Sequence, residues 1–295
     1  MDRREFLKAS LAGTVMAGLA RRSVAQEAKG AAAALRLSSQ EGRIPGKDLR
    51  EKVLKLESWG GVGIEFGGAP ANRLAEIREA LKGTAVTVSA LCWGSRNGDL
   101  VSTDAGKRGA GIEAMKQALD LAGELACSGV IFVPCFHKQS TLTPAELDPI
   151  LLEVLPGLAE HAKARGTRVL LEPLNQGETF YLNRLEQAVV FCEKVNSPGL
   201  GMMGDFYHMG KEEADDRAAF KRAGAWLHHV HLASRTRVLP GQDERTYSEG
   251  FRGLKEIGYQ GFCSLECGVK KGTDPEVEIP KAFRFLEEQW RLAGV

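Results

Sequence analysis

Glu172, Asp205, His231 and Glu266 stand near the carboxyl ends of four short apolar segments: Leu171-Glu172-Pro173, Gly204-Asp205-Phe206-Tyr207-His208, His229-Val230-His231-Leu232 and Ser264-Leu265-Glu266-Cys267. Three carboxylates and one imidazole make a donor set for Mn²⁺, Mg²⁺, Co²⁺ or Zn²⁺, with coordination positions left open for a substrate oxygen. A single glutamate at a strand end is ordinarily solvated or salt-bridged. The occurrence of all four on successive segments is what separates them from that background, and the chain reads as a metalloenzyme.

Side chains from four segments meet only if the segments lie side by side with a common facing. Alternation along a strand puts Glu172 on the side of Leu170, His231 with His229, and Glu266 with Ser264. Strand-like segments recur at 34–38, 63–66, 86–93, 130–134, 168–174, 201–205, 229–233 and 262–267. Amphipathic helical stretches follow them at 46–58, 71–81, 111–126, 144–164, 184–195, 211–222, 248–257 and 276–293. Gly83, Gly129, Gly166, Asn196 and Gly258 mark helix stops before the next strand. This alternation, with no second block of different character, predicts an α/β fold made of a single (β/α)₈ TIM barrel. An open doubly wound sheet is disfavoured, because no Gly-x-Gly-x-x-Gly follows the first strand. Strands five to eight of a barrel would gather the four ligands at its carboxyl-terminal mouth, and the irregular segment 233–249 would lie at that active face.

Leu171-Glu172-Pro173-Leu174-Asn175, Asp205-Phe206-Tyr207-His208, His229-Val230-His231-Leu232-Ala233 and Ser264-Leu265-Glu266 resemble the motifs of the sugar isomerase/epimerase family with a xylose-isomerase-like barrel. That family includes ketose 3-epimerases and hydroxypyruvate isomerase. The resemblance implies that Glu172, Asp205, His231 and Glu266 bind one divalent metal ion, with Mn²⁺ ahead of Mg²⁺, Co²⁺ or Zn²⁺. It also implies substrate contacts for His208, for Arg237, six residues after His231, and for Glu178, six after Glu172. Glu172 and Glu266 would then be the catalytic pair. The ion polarises a sugar carbonyl, one carboxylate takes the neighbouring carbon-bound proton to give a metal-stabilised enediolate, and the other returns a proton. Return to the opposite face gives an epimer, and return to the adjacent carbon exchanges ketone and aldehyde. Family members are often dimers or tetramers, so a homo-oligomer is consistent with the resemblance, although no interface signature is legible.

Trp93, Phe66 and Phe136 near strand ends could stack on a sugar ring or simply pack in the core. Glu65 could contact sugar hydroxyls or form a salt bridge at the barrel mouth, and His137 at the end of the fourth strand is a further substrate contact. Two other activities use the same barrel. A lyase or hydrolase of keto-glycosides would start from the same proton abstraction and then expel a leaving group, and a non-catalytic barrel would only bind sugars. Apurinic-site endonucleases need a zinc cluster with extra histidines, but the corresponding regions read Phe66-Gly67-Gly68, Leu91-Cys92-Trp93 and Gln242-Asp243-Glu244-Arg245. With 39 Lys+Arg against 38 Asp+Glu there is also no basic excess to recruit nucleic acid.

The first residues are read as targeting, not fold. Arg3-Arg4-Glu5-Phe6-Leu7-Lys8, the apolar stretch 9–20 and Ser23-Val24-Ala25 resemble a twin-arginine signal peptide over 1–25, leaving the barrel to 26–295. The expected partners are the twin-arginine export machinery and a small sugar, and the expected location is periplasmic or otherwise exported. An exported location favours an unphosphorylated sugar or glycoside. The apolar stretch is too short and too rich in Gly and Ala for a stable membrane anchor. Six cysteines without a CxxC pair read as buried free thiols.

Overall fold

In the computed structural model, which describes residues 32–294, eight parallel strands pair in chain order and the first closes on the last. They are β1 Arg36–Gln40, β2 Gly63–Gly67, β3 Thr87–Gly94, β4 Val130–Phe132, β5 Val169–Leu171, β6 Leu200–Asp205, β7 Leu227–Leu232 and β8 Phe262–Leu265. Nine α-helices lie among the described residues: α1 Leu49–Ser58, α2 Leu74–Leu81, α3 Ala105–Glu124, α4 Pro144–Ala164, α5 Leu185–Val195, α6 Phe206–Glu212, α7 Asp216–Ala223, α8 Ser248–Glu256 and α9 Pro275–Leu292. The single (β/α)₈ barrel expected from the sequence is the architecture observed.

Local chemistry sets the helix ends. The Asp48 carboxylate accepts from Glu51 N at 2.8 Å to start α1, Asp104 accepts from Lys107 N at 2.8 Å to start α3, and Asp215 accepts from Ala218 N at 2.9 Å to start α7. At α4, Glu146 reaches back to Thr143 N at 2.8 Å, with proline in the first turn. Asn196 closes α5 in the left-handed conformation, φ 49°.

The main apolar core fills the space between the outer face of the barrel and the helices, where Val130, Phe132, Val169, Leu171 and Met202 meet residues such as Leu151, Leu155, Val189 and Phe220. Inside the barrel a small second cluster of Ala90, Ile131, Leu170 and Met203, overlain by Cys92, forms the apolar bed on which the polar mouth rests. All six cysteines are free thiols, and all but Cys92 are buried.

Several boundaries differ from the sequence reading by a few residues, as where the fifth strand, expected over 168–174, is Val169–Leu171, and three differences bear on the site or the helix layer. The stretch expected as one helix over 211–222 is the pair α6 and α7, and α3 begins at Ala105, six residues before the expected 111. The first strand runs two residues further than expected, which brings Gln40 into the barrel end. Phe66 is 1% exposed and packs in the outer core, so it is not a stacking platform. No helix among the described residues is long and apolar enough to cross a membrane. The twin-arginine segment 1–25 lies outside the described residues.

Candidate metal centre

β5, β6, β7 and β8 each deliver one side chain to the carboxyl-terminal end of the barrel. Glu172 follows β5, Asp205 ends β6, His231 is the last residue but one of β7 and Glu266 follows β8. One donor atom from each lies within 4.8 Å of the others. Glu172, Asp205 and His231 are buried, and the Glu266 side chain keeps 14% exposure toward the mouth. Three strands that pair side by side, β6, β7 and β8, fix the mutual register of Asp205, His231 and Ser264, the residue two before Glu266.

The four side chains are poorly satisfied by one another. Asp205 Oδ2 and His231 Nδ1 are sealed from solvent and have no hydrogen-bond partner, and His208 Nε2 is in the same state 3.5 Å from Asp205 Oδ2. Buried polar atoms without partners are costly, and here they converge beside Glu172 and Glu266, which lie 3.6 and 3.3 Å from His231 Nδ1. A divalent cation fits this donor set: it would satisfy the orphaned atoms and offset the concentration of buried carboxylate charge.

Charge in the cluster is uneven. Burial raises the Glu172 carboxyl above its ordinary value, and the nearby Glu266 and Glu65 charges push the same way. Asp205 is pushed up to about 7, mainly by burial and by Glu266. Burial would raise Glu266 too, but His231 and Arg237 outweigh it and hold the carboxyl at about 2. On His231 the Glu65 and Glu266 charges overcome burial and hold the imidazole's affinity for protons well above the ordinary value. Competition between a proton and a cation for the same cluster follows from this arrangement.

Beneath the cluster, Glu65 on β2 is fully buried and tied on both oxygens. Its Oε2 accepts from His229 Nε2 at 2.8 Å and from His231 Nε2 at 2.9 Å, and its Oε1 accepts from Gln40 Nε2 at 2.9 Å. The expected sugar contact for Glu65 therefore differs from its placement. It lies under His231, and by holding the proton on Nε2 it makes Nδ1 the nitrogen that faces the cluster, where a proton and a cation compete for its lone pair. Glu65, His229 and His231 also fall within metal-ligand distance of one another, but this second group is already joined by hydrogen bonds.

His208, on α6, is held from the far side. Its Nδ1 accepts from Asn175 N at 3.1 Å, and the Asn175 side-chain amide lies 2.6 Å away. A backbone N–H can only donate, so Nδ1 must be the unprotonated nitrogen and Nε2 carries the proton. Burial, helped by Arg237, drives the His208 pKa down to about 3. His208 is thus a neutral N–H donor aimed at the cluster.

Arg237, from the loop after β7, forks between Glu178 Oε1 at 2.9 Å and Glu266 Oε2 at 3.1 Å and lies over the Tyr207 ring. Its backbone is left-handed, φ 59°, and is held by Arg237 N to Ser234 O and by Gly268 N to Arg237 O. A non-glycine residue in that region is strained, and such strain is characteristic of functional loops. The expectation that 233–249 lies at this face agrees with where Arg237 is found. Glu178 is half-buried and also accepts from Asn175 Nδ2 at 3.1 Å.

Trp93, at the end of β3, is half-buried and packs edge-on against Phe132 with 6.0 Å between ring centroids. His137 is exposed, with Nε2 2.8 Å from Gln176 O and its backbone N donating to Glu178 O at 2.9 Å, and it is not one of the four clustered residues. The sequence reading missed Gln40, which donates both to Glu65 and, at 2.9 Å, to Glu266 Oε1, and it gave Tyr207 and Asn175 no role.

A family model described as "Xylose isomerase-like TIM barrel" matches residues 53–289. The chain is 27% identical to the 3-dehydro-D-guloside 4-epimerase of Escherichia coli (strain K12) over 264 residues, covering 85% of this chain and 99% of that protein. It is 28% identical to the D-psicose 3-epimerase of Agrobacterium fabrum over 218 residues, covering 72% of this chain and 75% of that one. Among solved structures, an Escherichia coli 3-keto-D-glucoside 4-epimerase superimposes with a TM-score of 0.79 at 23% identity, over 86% of this chain and all of that one. A D-psicose 3-epimerase in the presence of D-fructose gives 0.77 at 22% identity, over 88% of this chain and 100% of the other, so the two structures share the fold. The chain therefore belongs to the xylose isomerase-like TIM barrel family.

Proposed function

We propose that the protein is a divalent-metal-dependent sugar epimerase or isomerase that removes and returns a proton on the carbon next to a carbonyl of an unphosphorylated sugar or glycoside. The observation that carries this reading is the convergence of Glu172, Asp205, His231 and Glu266, with orphaned acceptors on Asp205 and His231. The four residues would hold one cation, Mn²⁺ ahead of Mg²⁺, Co²⁺ or Zn²⁺, given the oxygen-rich donor set. The bound cation supplies Lewis acidity that makes the proton beside a carbonyl easier to remove.

The remaining chemistry belongs to the chain. Glu172 and Glu266 reach the centre from different strands, and in the proposed reaction one takes the proton from the sugar carbon while the other supplies one. The Nε2–H of His208 donates to a sugar oxygen, and its neutrality keeps it from adding a second cation. Arg237, steered by Glu178 and Tyr207, holds Glu266 in place and offers its free N–H groups to sugar oxygens. Trp93 walls the mouth beside β3. Relatives named as epimerases of a keto-glycoside and of a ketose support both substrate classes, the former aligned along 99% of its length.

Metal-loaded protein incubated in D₂O with free ketoses and 3-keto-glycosides, followed by NMR, tests this directly. Deuterium at the carbon next to the carbonyl, with any glycosidic bond intact, is the expected result. Release of the aglycone would support the keto-glycoside lyase reading, and tight binding without exchange would leave a sugar-binding barrel. Residues 1–25 are proposed as a twin-arginine export signal, and the N-terminal sequence of the protein recovered from the periplasm should begin after Ala25.

A further inference from the structure

At the end of the barrel opposite the metal-ligand cluster, a cavity of about 300 Å³ opens among the amino-terminal ends of the strands. Arg36 is the first residue of β1, Arg168 immediately precedes β5 and His228 is the second residue of β7, so all three belong to this end. Ser128, Tyr259 and Gln260 complete the polar part of the wall, and none of the described lining residues is Asp or Glu.

The basic groups have no counter-charge among the described residues. Among the described residues the Arg168 side chain makes no hydrogen bond or ion pair, and its Nε is sealed from solvent without a partner. Arg36 makes one long bond, 3.3 Å, to the Gln260 carbonyl and lies over the Phe262 ring at 3.8 Å. Several arginines elsewhere are paired with carboxylates, as in Arg73 with Glu41 and Glu76, Arg222 with Glu193 and Arg245 with Asp216. His228 is accommodated because residue 201 is glycine. A Cβ there would stand 2.4 Å from His228 Cδ2. Burial, with Arg168 adding to it, lowers the His228 pKa to about 3.

Helix C-termini at Gly224 and Ile257 border the cavity and favour cations. That effect accounts for arginines in this region, but it does not satisfy Arg168 Nε, which no carbonyl reaches. Two guanidinium groups facing one partly enclosed space repel each other and lose hydration, and an oxyanion that accepts from their planar N–H forks would offset both effects.

We propose that this cavity is a binding site for a small oxyanion of the phosphate class, held by Arg36 and Arg168 with His228 beside them, remote from the proposed metal centre and independent of the catalytic reading. The shared chemistry is a phosphoryl dianion, supplied either as inorganic phosphate or by a sugar phosphate.

Calorimetric titration of the full-length, metal-free protein with sodium phosphate, and separately with glucose 6-phosphate, against sodium chloride at equal ionic strength, tests the site. Saturable one-site binding of at least one of the two phosphates is expected. Arg168→Gln and Arg36→Gln should each weaken it by at least about tenfold, whereas Arg237→Gln at the opposite mouth should leave it unchanged. Comparison of the two ligands then tells whether free phosphate or a phosphorylated sugar is the better occupant. Since Arg168 has no partner to lose, Arg168→Gln should unfold in phosphate-free buffer at a temperature equal to or above that of the wild type. Arg36→Gln carries the same comparison should Arg168→Gln fail to fold. No saturable binding in the wild type, undiminished affinity in the Arg168 or Arg36 variant, or loss of binding in Arg237→Gln would overturn the proposal.

Discussion

Replacing Glu65 with Gln should weaken divalent-cation binding about 10- to 100-fold, although Glu65 is not one of the four proposed ligands. Glu65 Oε2 accepts from both His229 Nε2 and His231 Nε2, and Oε1 accepts from Gln40 Nε2. An amide keeps the size of the side chain but turns one of these acceptors into a donor. With the amide nitrogen in the Oε2 position it faces two ring N–H groups, and His231 can relieve the conflict only by moving its proton to Nδ1, the atom that faces the cluster. In the Oε1 position it confronts the donating amide of Gln40. Either orientation leaves a fully buried donor unpaired, a cost of about 1–3 kcal/mol to the fold, and in the first orientation the proton on Nδ1 must leave before a cation binds, so a cost of that size appears as about one to two decades of affinity. Titrating metal-free wild type and Glu65→Gln with Mn²⁺ by calorimetry measures the difference, with circular dichroism confirming the fold of the variant. An affinity within about twofold of wild type would refute the assignment of Glu65 as the group that orients His231.

Gln40→Leu removes two 2.9 Å bonds to buried carboxylates and should destabilise the protein by about 2–3 kcal/mol in urea unfolding; a loss below about 0.5 kcal/mol would show that these bonds contribute nothing net. Arg237→Lys keeps the charge but cannot span Glu178 and Glu266 together, so carbon-bound hydrogen exchange should fall by about tenfold or more, and an unchanged rate would mean the fork is dispensable. His228 has a folded pKa of about 3 against an ordinary 6.5. The unfolded chain therefore binds the extra proton between those values, so the stability is fully present above about pH 6.5 and is lost as pH falls toward 3. At about pH 5.5 the loss amounts to about 1.4 kcal/mol. In phosphate-free buffer, the urea-derived stability of His228→Gln should drop by that much less than wild type between about pH 7.5 and 5.5, and equal drops would contradict a buried neutral imidazole.

The barrel was legible because each βα unit carries its own signals: apolar strands, amphipathic helices and Gly or Asn stops. The split between α6 and α7 was not. Phe206, His208 and Met209 bury three side chains within seven residues of α6, a pattern that gives no helical face to read, and Asp205 caps the helix while also pointing into the centre. The start of α3 was hidden by Gly106, Gly109 and Gly111, which dilute its apolar stripe. The four cluster residues could be found because strand-end position and donor type coincide. Gln40 was missed because the first strand was ended at residue 38, one inward position short. The place of Glu65 had a weak signal, a carboxylate between Ile64 and Phe66 in a strand buried on both sides, since such a group must be paired internally. Which partner it takes depends on two histidines more than 160 residues away, a relation set by closure of the barrel and invisible to local pattern.

The central claim is that Glu172, Asp205, His231 and Glu266 share one divalent cation, and anomalous diffraction from crystals grown with Mn²⁺ measures it. One peak at coordination distance from a carboxylate oxygen of Glu172, Asp205 and Glu266 and from Nδ1 of His231 is predicted. An empty cluster at saturating Mn²⁺, or a peak seated between Glu65 and His229 instead, would contradict it.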